Sequence, residues 1–429
     1  MTQRTYHDPL HGGIRLDRDD PAEALAIELN DTAPFQRLRR IRQLGPAFLT
    51  FHGAESSRFT HCLGVLHVAR RALRHLERLD PTLAQQRPLL YAAALLHDVG
   101  HAPLSHTGEE MFGVRHESWS ARLSRHHPRL RELLDRAVPG GAVAVAELLG
   151  QGRHPCRAVS ALVSSQLDCD RLDYLMRDSY STGASYGRLD LERILTALTL
   201  APDGRLAIHP KGLPAVEHYL VVRQLMYRSV YNHRLNVVCN WLLTEAIRVA
   251  RRTGSGGVWA DAVMSRWLWD PEELDLESFL ANDDLRTGYH LLRWREEGPT
   301  DLAALCGRLL DRRLPRALDV SDLPSANRLE LLAEARGLAR RSGLDADSCC
   351  GLHQRQSLGY DPYKGGLRLW DGQRLHALEQ RSSLVEALTR PRERAWLIHP
   401  RQVSPVLRER LAAALPNVPP LRPGPWPPN

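Results

Sequence analysis

Residues 91–106 read Tyr-Ala-Ala-Ala-Leu-Leu-His-Asp-Val-Gly-His-Ala-Pro-Leu-Ser-His, an apolar run that ends on an adjacent imidazole and carboxylate, His97 and Asp98. Leu89, Leu90, Ala93, Ala94 and Leu96 place this run on a buried helix, so the two polar residues at its end sit in dry surroundings. Left unpaired there they would cost several kcal/mol. A divalent metal is their natural partner, because imidazole and carboxylate together suit Mg, Mn, Fe or Zn. His61 lies upstream in Ser-Ser-Arg-Phe-Thr-His-Cys, and Asp170 downstream in Leu-Asp-Cys-Asp-Arg-Leu-Asp-Tyr, each in a segment of helical spacing.

The chain of 429 residues can bury a large core, and one big helical domain with a smaller appendage fits that length. No apolar run reaches the roughly 18 residues of a membrane-spanning helix, and the N-terminus has no signal-peptide apolar segment. Seven cysteines, none in a Cys-x-x-Cys pair, point to reduced thiols in the cytoplasm. Adjacent Cys349 and Cys350 have poor geometry for a mutual bridge. The net charge of +7 is almost all arginine, with Lys only at 211 and 364. Arginine grips phosphate bidentately, so a polyphosphate ligand fits the surplus, and so does weak contact with nucleic acid.

The pattern predicts a mainly α protein with a small C-terminal α+β lobe. Residues 1–20 form a turn and strand segment, 21–257 the main helical domain, 258–345 a helical extension, 346–415 the α+β lobe and 416–429 a Pro-rich disordered tail. Leu66, Ala69, Leu73 and Leu76 make one helical stripe, opened by Ser56 or Ser57. Leu162, Leu167, Leu172 and Leu175 belong to another helix, stopped near Gly183. Val216–Arg251 reads as one long helix ended by Thr-Gly-Ser-Gly-Gly. Tyr360–Trp370 and Arg394–His399 read as extended, followed by a helix from Pro405 to Leu415.

One divalent ion held by His61, His97, Asp98 and Asp170 would keep positions open for water and a phosphate oxygen. His101 follows His97 by one helical turn, and His106 follows Pro-Leu-Ser. Either could protonate a leaving oxygen, because histidine titrates near working pH. Glu109 could orient His106, and His116–Glu117 offers a second pair. Asp170, Tyr174 and Asp178 are spaced by four and share a face, as do Arg223, Tyr227 and Tyr231.

The order His61, His97-Asp98, Asp170 resembles the HD-domain metal-dependent phosphohydrolases. A narrower resemblance, over residues 5–240, is to the HD-domain deoxynucleoside triphosphate triphosphohydrolases, in the branch of the sterile-alpha-motif/HD-domain dNTPase and its bacterial relatives. Its carriers include Asp8-Pro-Leu-His-Gly, the stretch from Asp31 to Gly45, Ser57-Arg-Phe-Thr-His-Cys-Leu-Gly, the His97–His106 run, and Asp170-Arg-Leu-Asp-Tyr-Leu-Met-Arg-Asp. The C-terminal third matches only loosely.

The resemblance implies an HD helical bundle that cleaves a dNTP to a deoxynucleoside and triphosphate, with His106 protonating the departing 5′ oxygen. It implies that Arg58 and Arg223 hold phosphates, that Arg171 stands in place of a family lysine, and that Tyr174 and Asp178 lie near the phosphates and the 3′-hydroxyl. Gln43, Leu44 and Tyr231 would pack the deoxyribose. Asp31, Gln36 and Arg39 match positions that bind an activating guanine nucleotide, and family members form dimers or tetramers. Two rival readings stay open. One is an HD-type nuclease or phosphodiesterase acting on nucleic acid or a signalling nucleotide. The other is a non-catalytic nucleotide sensor, whose hallmark would be a lost metal ligand.

Overall fold

The computed structural model describes residues 2–357, 359–362 and 366–414. The helix Arg58–Leu76 packs against both Arg87–Leu96 and Cys169–Thr182 at the centre of a large helical body. Their apolar stripes are wholly inside: Leu66, Ala69, Leu73 and Leu76 are fully buried, as are Leu89, Leu90 and Leu96. Ser57 opens the first of these helices from the N-cap position, although its side chain makes no capping bond. The chain enters through an antiparallel hairpin, Gln3–Asp8 with Gly12–Asp17.

The expected small α+β lobe is present at the C-terminal end. Its antiparallel sheet has Arg392–His399 at the centre, flanked by Arg316–Asp319 and Gly351–Ser357. The helices Ser325–Arg341 and Ser404–Ala414 cover it, and Leu318, Val320, Leu331, Ala335, Leu397 and Leu407 form a core separate from the main one. The lobe therefore begins near Arg316, not at 346, because a strand and a helix from the supposed extension supply half its core.

Three local expectations are corrected. Leu162 and Leu172 lie on different helices, Arg157–Val163 and Cys169–Thr182, because Asp168 caps the second by accepting the Arg171 amide. The long helix from Val216 is broken: Leu213–Met226 runs into a π turn at Tyr227–Tyr231, and a new helix, Arg234–Thr253, starts under the His233 cap. In Tyr360–Trp370 the strand is confined to Arg368–Trp370; residues 363–365 lie outside the described residues, as does the tail from 415 onward. The seven cysteines are all free. Among the described residues no helix is long and apolar enough to cross a membrane.

Close approach of Arg58–Leu76 to Cys169–Thr182 rests on Gly64. A Cβ there would collide with the Asp173 carboxylate and the Arg177 guanidinium on the opposing helix. Gly64→Ala should therefore destabilise the fold by about 1–3 kcal/mol through overpacking, seen as a lower urea midpoint; an unchanged midpoint would show that the helices can slide apart freely.

Candidate metal centre and its cavity

Four side chains from three places in the sequence meet at the helix junction. His61 lies on Arg58–Leu76, His97 and Asp98 follow the end of Arg87–Leu96, and Asp170 occupies the first turn of Cys169–Thr182. His61 Nε2 is 3.0 Å from Asp170, 3.3 Å from His97 Nε2 and 3.6 Å from Asp98. His97 Nε2 is 3.4 Å from Asp98 and 3.8 Å from Asp170. Such spacings match the edges of a coordination polyhedron with bonds of about 2.1 Å.

The outward ring nitrogens are already used. His61 Nδ1 bonds Asp173 at 2.8 Å, and His97 Nδ1 lies 2.9 Å from the Ala94 carbonyl. Both Nε2 atoms are thus turned toward a common point where a cation would sit, the arrangement that second-sphere partners impose on metal-bound histidine. Electrostatics point the same way. Burial opposes a charge on His61, yet hydrogen bonds to Asp170 and Asp173 outweigh it and push its pKa up to about 10. The cluster holds a proton where a divalent ion would serve the same carboxylates. The donor set fits the ion, and HD domains bind divalent metals.

Asp173 was not singled out in the sequence reading, although its i+3 spacing from Asp170 was the available signal. It accepts from Arg177 at 2.8 and 3.0 Å and lies 2.6 Å from His11 Nε2, while Arg177 also reaches Asp8 at 2.8 Å. The N-terminal hairpin is thereby tied to the back of the metal cluster.

A second group lies beside the first. His101 and His116 stack with centroids 4.1 Å apart, and His106 stands edge-on to both. Glu109 bonds His116 and lies 3.5 Å from His106 and 3.7 Å from His101. It was expected to orient His106, but His116 is its nearest partner. Burial opposes ionisation of Glu109, yet the bonds from His106 and His116 keep its pKa well below the carboxylate range. Neither nitrogen of buried His101 has an aligned partner, although Nε2 is 3.1 Å from Asp98. Burial, with Arg58 and His116 nearby, holds His101 neutral. His101 lies in a turn beyond the helix, not on the helix as its spacing implied.

His97, Asp98 and Asp170 of the first group, with His61 buried behind them, join the whole of the second in lining one cavity of about 560 Å³. Its walls include Gln43, Leu44, Arg58, Arg171, Tyr174, Asp178, Tyr227 and Tyr231, and Glu117 at the side of His116. Tyr231 donates to Asp178 at 2.9 Å, and burial pushes the Asp178 carboxyl up to about 7. Asn236 and Asn240 also face the cavity, and so does Arg355 from the C-terminal lobe, ion-paired to Glu110. Periodicity gave no warning of these three.

Several expected binders are otherwise engaged. Arg58 donates to Asp98 at 2.6 Å, to Ser105 at 2.9 Å and to the Gln43 carbonyl at 3.2 Å. Arg171 is paired with Asp168. Arg223 is outside the cavity lining and donates to Gln166 at 2.7 Å. Asp31, Gln36 and Arg39 lie away from the cavity: Asp31 pairs with Arg4 at 2.5 Å, Arg39 donates to Gln36 at 2.7 Å, and its guanidinium covers Phe59.

The loop between His101 and His106 is strained. Leu104 and Ser105 have φ of 62° and 58°, positions that cost a non-glycine residue about 1–3 kcal/mol each and persist only under firm constraint.

Comparison with known proteins gives the same assignment. Residues 58–175 match the HD domain family, and residues 189–314 match the HD associated region. Over 398 residues the chain is 33% identical to the uncharacterized protein YwfO of Bacillus subtilis, spanning 90% of this chain and 89% of that one. The deoxynucleoside triphosphate triphosphohydrolase SAMHD1 of Gallus gallus is 26% identical over 285 residues, 58% of this chain and 45% of its own length. A phosphohydrolase from Bacteroides thetaiotaomicron has a TM-score of 0.78 at 26% identity, covering 93% of this chain and all 100% of that one. Helical bundle, clustered His and Asp donors and these matches define an HD-superfamily phosphohydrolase. The chain belongs to the HD-domain family, among members that join the HD domain to the HD associated region.

Asp173→Asn should weaken metal affinity about 10–100-fold by releasing the His61 ring. Titration calorimetry with Mn would measure this, and wild-type affinity in a folded variant would remove Asp173 from the site.

Proposed function

We propose that the protein is a dNTP triphosphohydrolase, converting a dNTP and water to a deoxynucleoside and inorganic triphosphate. The observation that carries this reading is the shared cavity: a metal-type donor cluster and a histidine group on one side, and Gln43, Leu44, Tyr174, Asp178 and Tyr231 on the other. That wall has the mixed apolar and hydrogen-bonding character a deoxyribose requires. The resemblance to SAMHD1 supports it.

In this reading water oxygen bonds the α-phosphorus and gives up a proton to solvent, the bond from phosphorus to the 5′ oxygen breaks, and the leaving oxygen takes a proton. A divalent ion held by His61, His97, Asp98 and Asp170 would supply charge stabilisation at the phosphate and a more acidic water. His106, with its ring 62% exposed and facing the cavity, is the residue free to deliver the proton. Glu109 orients it through Nδ1, while His101 and His116 complete the polar wall. Arg171 and Tyr227, which line the same cavity, would meet the phosphates. Arg58 keeps two unused N–H donors for a phosphate oxygen while it holds Asp98; Arg223 steadies the wall from behind. The proposal extends to a cytoplasmic homo-oligomer activated by GTP or a dNTP at Asp31, Gln36 and Arg39, where such a ligand would have to displace Arg4 from Asp31.

Each of the four dNTPs, incubated with Mn and with or without GTP, should release deoxynucleoside and intact triphosphate by chromatography. Shortening of DNA or RNA with the dNTPs left intact would replace this reading by that of a nuclease, and nucleotide binding without turnover by that of a sensor. His106→Ala should lower kcat about 10²–10⁴-fold, measured by steady-state kinetics. The double change His97→Ala, Asp98→Ala should abolish release while circular dichroism stays native.

A further inference from the structure

The HD associated region contributes a carboxylate that touches neither the metal cluster nor the cavity. We infer that Asp284 is a positioning residue, setting the strained 102–106 loop and the adjoining 42–45 segment in register beside each other in the cavity lining. Its Oδ1 accepts the Leu104 amide at 2.7 Å, and its Oδ2 accepts the Arg42 amide at 2.9 Å. Each oxygen thus fixes one wall: Leu104 leads into Ser105 and His106, and Arg42 into Gln43 and Leu44.

The local geometry makes this arrangement specific. Leu104 and Ser105 both have positive φ without being glycine. Ser105 Oγ donates back to the Arg42 carbonyl at 2.6 Å and accepts from Arg58, so the two walls are joined a second time. At Gly45 a Cβ would sit 2.5 Å from the Leu104 carbonyl, leaving no room for the loop to relax toward it. The neighbouring corner adds to the hold: buried Arg37 donates to the Asn282 carbonyl at 2.6 and 2.8 Å and to the His101 carbonyl at 2.9 Å.

Helix formation does not account for Asp284. The N-cap of Asp284–Glu297 is Asp283, which accepts the Leu285 and Arg286 amides, so the next carboxylate is free to turn inward. Its side chain is 4% exposed, and the nearest cation, Arg42 Nη1, is 3.8 Å away. Burial pushes its pKa up to about 6. A buried, weakly paired carboxylate is a cost to stability, and two backbone amides in a strained turn are what it holds in return.

The inference rests on the proposed role of His106 in this cavity, but not on which substrate is cleaved. Asp284→Asn keeps the shape while turning an amide N–H toward one of the two backbone N–H groups. In the full-length protein it should speed hydrogen exchange in peptides covering 102–106 and 42–45 about tenfold, with Mn affinity and the unfolding midpoint near wild type. With dNTPs it should lower kcat about 10–100-fold while KM stays constant, as expected for misplaced catalytic groups. Asp284→Ser, retaining one acceptor oxygen, is the second variant should Asn fail to fold, and should loosen one wall only. Wild-type exchange in both segments of a folded variant, or a kcat loss matched only by loss of folded protein, would overturn the proposal. If the wild-type protein cleaves no dNTP, the substrate reading fails alone and the exchange measurement still decides the role of Asp284.

Discussion

Three carboxylates, Asp98, Asp170 and Asp173, crowd around the single buried imidazole of His61, and negative charge at that density persists inside a protein only if cations answer it. Arg58 answers Asp98 and Arg177 answers Asp173, each at hydrogen-bonding distance. Asp170 has the His61 and His97 rings and an open side toward the cavity. The imbalance is local and directional, and it marks the place for a divalent ion. The hairpin that delivers Asp8 and His11, and the Gly64 contact that brings the helices together, both exist to complete this charge arrangement at its buried side.

Helix ends do the positioning. Asp170 stands in the first turn of its helix, where the exposed amides favour negative charge, and His97 and Asp98 stand just past the end of theirs. From there the chain turns through two left-handed residues to bring His106 into the lining of the same cavity. A helix could not make that turn, since successive side chains would stay on one rod. The strain accompanies a turn that brings a metal-type cluster and a histidine group to face one volume.

The cavity is assembled from regions that the chain keeps apart. The HD domain supplies the donors, the HD associated region supplies Tyr227, Tyr231, Asn236 and Asn240, and the C-terminal lobe reaches in with Arg355. Arg355 is held by Glu110 on the helix that starts at His106. Movement of the lobe would therefore be felt one turn from the proposed proton donor.

Much of this was legible in the residues alone. The convergence of His61, His97, Asp98 and Asp170 was readable because metal chemistry restricts residue types severely, and the helical body because apolar spacing reports the buried face directly. The π turn at Tyr227–Tyr231, the break at Asp168 and the true start of the lobe were not, since a few hydrogen bonds at a helix end leave the apolar pattern almost unchanged. Asp173, Asp284 and Arg355 stayed hidden for another reason. A charged residue on a helix or strand reads as solvent-facing until something packs over it. Which carboxylate is buried, which arginine is already paired and which amide it holds are decided by neighbours distant in the chain, and only the folded arrangement brings those neighbours together.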